Sequence, residues 1–279
     1  MNGSVTDNPS HESSRGSESQ MAADSASTFA QEPNTVPAPD TTAASQADVS
    51  PRIARRRSAL RRELGKLAGQ VKPKLRGWFH AGAFPLALIG GLALVIISPT
   101  IESRLAAAVF AVTGMLLFGT SAVYHRGRWR TRARLILRRL DHSNIFLITA
   151  GTYTPLAVLM LRQDQTILLL SVLWGAALLG VAFRTIFTTA PRWLFVPIYV
   201  GFGVAGVGYI PQMWATIPAV GILVVAGGVC YVAGAVIYGI KKPNPSPKWL
   251  GFHEIFHILT VLGYGCHLAA LLVAAVAAY

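Results

Sequence analysis

In the stretch WLGFHEIFH, Trp249 to His257, two histidines stand four residues apart. On a helix that spacing puts His253 and His257 one above the other on a single face, where two imidazoles can share one metal ion. Read literally, His253-Glu254-Ile255-Phe256-His257 is also H-E-x-x-H, the string of a zinc metalloprotease in which the glutamate is the general base. His125 offers a third nitrogen, and Ser121 lies one helical turn before it. Three histidines with an open fourth position make the catalytic type of zinc site, where bound water ionises at a pKa near ~7. Asp141 could hold or deprotonate that water, or orient a ligating histidine from behind. The candidate site is therefore His125, His253 and His257 as metal ligands, with Asp141 and Ser121 as the proton-managing and hydrogen-bonding groups.

The remaining histidines fit a shared ion less well. His267 is ten residues beyond His257, roughly 15 Å along a helix axis, too far for the same ion, and is expected to be packed or hydrogen-bonded. His142 follows Asp141 and points to another side of the helix, which suggests interfacial packing. His80 is expected to be an interfacial residue or a donor behind the ligands.

The elements that must position these groups are membrane helices. The chain has 279 residues, 52% hydrophobic and 13% charged, against about 25% charged for a soluble protein. Between Gly77 and Tyr279 the acids are Glu102, Asp141, Asp164 and Glu254 alone, which excludes a water-soluble domain with a polar surface. A span needs about 20 residues and must satisfy its backbone internally. Seven apolar runs meet that need, at 78–98, 103–124, 142–161, 166–186, 193–213, 217–239 and 251–278. The expected fold is an all-α, seven-transmembrane-helix bundle. With the N-terminus cytoplasmic, 22 Lys and Arg fall inside and only Arg104 and Arg162 outside, which sets the N-terminus in and the C-terminus out. That topology brings His125, Asp141, His253 and His257 to one layer near the cytoplasmic face. A lone histidine near a membrane end is ordinarily an interfacial polar residue. An i, i+4 pair with a third histidine and an acid at one depth favours metal.

Residues 1–50 are poor in large apolar side chains and are expected to be a disordered tail with no signal-peptide core. Residues 51–76 carry ten Lys or Arg and read either as a basic amphipathic helix on an anionic leaflet or as a solvated topology determinant. Residues 77–279 form the membrane domain. The net charge of +13 does not imply nucleic acid, because the basic residues flank apolar segments. Cys230 and Cys266 lie within apolar runs and imply no disulfide framework. There is no internal repeat of the kind found in inverted-repeat transporters.

Over about residues 72–279 the chain resembles the hemolysin III family, the bacterial branch of the progestin and adipoQ receptors and, more widely, the alkaline ceramidases. The resemblance rests on SAVYH (Ser121 to His125), LDHSNIFLITAGTYTP (Leu140 to Pro155) and HEIFHILTVLGYGCH (His253 to His267), with KPKLRGWFHAGAF also family-like. It implies a seven-helix bundle with zinc on His125, His253 and His257, and Asp141 and Ser121 close by. It also implies either a hydrolase of lipid amides or esters or a role in membrane homeostasis, in a multi-pass protein of the cell membrane whose partners are membrane lipids. A non-enzymatic regulator with structural zinc is the alternative, and a lytic pore has no amphipathic span or charged ring behind it. For an intramembrane protease, RRLDHSN lacks the glycine of the usual L-D-G ligand motif, and Glu254 lies about 100° around the helix from His253. The sequence carries no signature of an oligomeric state.

Overall fold

The computed structural model describes residues 73–187, 191–246 and 248–279, together with Ile53 and Ser58. The expected disordered tail (1–50) and most of the basic segment (51–76) lie outside the described residues. Among the described residues the secondary structure is helical, with seven segments long and apolar enough to cross a membrane. These are α1 (Trp78–Ile97), α2 (Ile101–Arg126), α3 (Thr131–Met160), α4 (Gln163–Ile186), a broken fifth span of α5 (Arg192–Gly203) and α6 (Ile210–Thr216), α7 (Pro218–Ile240) and α8 (Phe252–Ala277).

Lipid tails are as apolar as leucine, so close packing of small side chains, more than burial of large ones, holds such helices together. The bundle follows that rule. Its interior is rich in alanine, including Ala87, Ala107, Ala150, Ala157, Ala270 and Ala275, while Leu86, Ile89, Leu179 and Trp193 are exposed on its outer face. Phe110, Phe118, Leu94, Leu156 and Leu271 fill the larger gaps of the main core. Gly151 shows how near the helices come: a Cβ there would lie 2.1 Å from the Thr113 hydroxyl oxygen, so α2 and α3 meet at this register only without a side chain. α1 packs on α2 and α8, α3 on α2, α4, α5 and α8, and α7 on α5, α6 and α8.

Two elements differ from the sequence expectation. The third helix begins at Thr131, not near 142. Hydropathy marks where a helix enters lipid, whereas arginine is itself a good helix former, so the TRARLILRRL segment continues α3 beyond its apolar part. Asp141 therefore lies three turns inside α3 rather than at its start. The fifth span, expected continuous over 193–213, breaks after Gly203 and passes through a short 3-10 turn at Val207–Tyr209. The GFGVAGVGY run favours that break, and the Tyr153 hydroxyl donates to the Gly203 carbonyl at 2.7 Å, satisfying one of the freed backbone groups.

Candidate metal centre

Up-and-down connectivity gathers the starts of α1, α3, α5 and α8 and the ends of α2, α4 and α7 at one end of the bundle. His125 lies in the last turn of α2, and His253 and His257 in the first turns of α8. One ring nitrogen from each lies within 4.8 Å of the others. The Nε2 atoms of His125 and His253 are 3.3 Å apart. Two nitrogens bound at 2.0–2.1 Å around a tetrahedral zinc stand about 3.3 Å from each other, so this pair already has a ligand–ligand separation. His257 completes the set through a ring centroid 5.0 Å from that of His125 and 4.6 Å from that of His253. The donor set, three imidazoles with no thiolate, suits zinc and other borderline transition metals.

The groups around the triad are equally specific. An oxygen of Asp141 lies 3.6 Å from His125 Nε2. The buried Ser121 hydroxyl has no hydrogen-bond partner among the described residues. His80, from the first turn of α1, stacks on His257 with ring centroids 3.9 Å apart and 15° between planes. Stacked rings project their nitrogen lone pairs in parallel, so His80 backs His257 and cannot join it on one ion. The sequence thus brings His125, His253, His257, Asp141 and Ser121 to one place, with His80 added behind them.

The glycine before α1 sets the approach to this cluster. Gly77 has φ +80°, and a Cβ on it would lie 2.8 Å from His125 Cβ. The left-handed conformation costs a residue with a Cβ about 1–2 kcal/mol, and the added carbon would also push His125 off its position. Gly77→Ala is expected to lower the thermal midpoint and to weaken metal retention together, read by thermal unfolding and elemental analysis. Loss of stability with undiminished metal would confine Gly77 to backbone geometry.

Three polar side chains make contacts that have no local sequence signal. Glu254 is 1% exposed and both its oxygens are engaged: Oε1 accepts from Arg76 Nε at 2.7 Å and Oε2 from the Gly251 N–H at 2.9 Å. It caps α8 and binds the segment before α1, and it does not line the neighbouring cavity. His142, expected to pack at the interface, contacts the guanidinium of Arg184 and lines that cavity. His267 donates from Nε2 to the Val224 carbonyl at 3.2 Å, far from the triad along α8.

The cavity itself has a volume of about 670 Å³, within the roughly 300–1,000 Å³ of small-molecule sites. His80, Ser121, Asp141, His142, His253 and His257 give it one polar end. Most of the remainder is apolar wall from α3, the broken fifth span and α7, with His267 from α8 deeper in. His125 sits behind the polar end and does not line it.

The sequence profile of Haemolysin-III related proteins matches residues 69–268. A hemolysin-3 homolog of Bacillus subtilis (strain 168) is 30% identical over 155 residues, 56% of this chain and 70% of the relative. The hemolysin-3 of Bacillus cereus is 30% identical over 121 residues, 42% of this chain and 55% of that protein.

Proposed function

This chain belongs to the Haemolysin-III related family, and on that premise we propose that it is a zinc-dependent hydrolase of membrane lipid amides or esters, with its centre facing the cytoplasm. One observation carries the reading: a three-imidazole cluster with a carboxylate 3.6 Å away opens onto an apolar cavity large enough for a lipid chain. Zinc, when bound, supplies Lewis acidity, polarising an acyl oxygen and lowering the pKa of water. Asp141 takes the proton from the attacking water and returns it to the departing amine or alkoxide. Ser121 Oγ, at the cavity's polar end, donates a hydrogen bond to the substrate. The apolar wall holds the acyl chain and keeps bulk water from the reacting carbonyl. The Lys and Arg distribution supports the cytoplasmic orientation.

Purified wild type and Asp141→Asn, compared on ceramides and phospholipids, test the proposal. The variant is expected to lose about 10²–10⁴-fold in turnover while keeping its metal. The same background turnover from both, across the whole panel, would overturn the hydrolase. The reading then left is a membrane regulator in which zinc ties the end of α2 to the start of α8, and the origin of the three ligands on just those two helices favours it. Under that reading Asp141→Asn leaves cellular function intact.

A further inference from the structure

A buried cation fixes the chemistry of the histidine that follows Asp141. Arg184, in the last turn of α4, is 1% exposed. Among the described residues no carboxylate pairs with it. Glu254 is taken by Arg76, Asp164 by Arg162 and Asp141 by His125, while Glu102 opens α2 at the opposite end of the bundle. Arg184 instead binds His142, through Nη2 to Nδ1. Its Nη1 donates to the Phe187 carbonyl at 3.4 Å, and the guanidinium lies 4.5 Å from the centre of the Phe195 ring.

A guanidinium carries only donors and keeps its charge. Nδ1 of His142 must therefore be the acceptor, which leaves the imidazole neutral with its proton on Nε2. The backbone is pinned as well, since the Tyr199 hydroxyl donates to the His142 carbonyl at 3.1 Å. The ring is only half-buried, and it lines the cavity. An ordinary histidine exchanges tautomers and can accept as well as donate. This one is held as a donor alone, at the polar end of an apolar cavity and one residue from Asp141.

We infer that His142 is a substrate-contacting residue: Arg184 locks it in the Nε2–H tautomer, and that N–H donates a hydrogen bond to the acyl carbonyl oxygen of a lipid in the cavity. The inference rests on the lipid reading of the cavity and deepens it by naming what the site selects. A fixed donor favours lipids that present a carbonyl over alkyl lipids that lack one, because a buried donor left unpaired penalises the analogue without the acceptor.

Methyl heptadecyl ketone and its parent alkane, nonadecane, differ by one carbonyl oxygen, and neither can be hydrolysed. Their binding to metal-loaded, detergent-purified full-length protein is read by displacement of a fluorescent alkyl probe. Wild type is expected to prefer the ketone, and His142→Phe to lose about fivefold of that preference. His142→Asn, which keeps an N–H donor, is expected to recover part of it. Arg184→Met, which removes the donor to Nδ1 and is not on the cavity wall, is expected to lower it too, with metal content unchanged in all forms. The nitrogen-15 spectrum of histidine-labelled wild type needs no substitution and is expected to show His142 protonated at Nε2. An Nδ1–H tautomer, or a ketone preference undiminished in His142→Phe, overturns the inference and leaves the lipid cavity standing. Failure of both compounds to bind any metal-loaded form overturns the lipid reading and this inference with it.

Discussion

Replacing His253 and His257 together by alanine is expected to take the protein from about one metal ion per chain to none. Elemental analysis of the two proteins, purified in detergent and supplied with zinc, is the measurement. The size of the effect follows from the ligand count. Three ring nitrogens lie within 4.8 Å of one another, and the substitution leaves His125 alone, a single imidazole without chelation. Binding that favours the folded state also stabilises it by mass action, so the thermal midpoint should fall with the metal. Chelation of wild type should reproduce most of that fall. His267→Ala is the matched control. It removes a buried histidine of the same helix that is bonded to the Val224 carbonyl and lies away from the triad, so metal should remain at one per chain. Metal retained by the double variant would mean that other residues hold it. No metal in folded wild type would sink the hydrolase and the structural tie alike, and the histidines would be a polar layer within the bundle.

How far this centre can be read from sequence depends on how local its geometry is. His253 and His257 are four apart on one helix, so their shared face follows from helical periodicity. His125 is reached next, because an odd number of antiparallel spans with a skewed Lys and Arg count brings the end of α2 to the level of the start of α8. The Gly77 approach to His125 is less visible. A glycine before a helix is common, and only the structure shows what a Cβ would strike. Arg184 and Arg76 are not legible at all. Their partners are 42 and 178 residues away, and in sequence both look like ordinary arginines at the ends of spans. The start of α3 was hidden for a different reason, since a hydropathy scale reports the solvent around a helix and not the helix. The break in the fifth span did leave a signal in its closely spaced glycines, but glycine is frequent in membrane helices generally, so spacing alone does not separate a break from a packing face.

Glu254 decides between two chemistries that share one string of letters. In a metalloprotease the glutamate of H-E-x-x-H faces the reacting water, and its amide variant is inactive but folded. Here the carboxylate faces away from the cavity, with Arg76 on one oxygen and the Gly251 N–H on the other. The expected result is a graded loss of stability. Arg76→Ala leaves a carboxylate that is 1% exposed with one backbone donor and no cation, and uncompensated buried charge is the costly case, about 3 kcal/mol. Glu254→Gln keeps an oxygen to accept from Gly251 and strands only Arg76, whose side chain is 24% exposed and can hydrate. Its cost should be nearer 1 kcal/mol. In the double variant Arg76→Ala/Glu254→Gln the two losses should fall short of adding, as for a pair in direct contact. Thermal unfolding of the four forms in detergent gives the order, and elemental analysis of the same samples should show metal in each. Arg76→Ala as stable as wild type would remove the ion pair as a structural element. A Glu254→Gln protein of undiminished stability that has lost a proteolytic activity present in wild type would return the chain to the metalloproteases. The placement of both glutamate oxygens argues for the first order, in which a shared string of letters serves a helix cap and an ion pair between the segment before α1 and the start of α8.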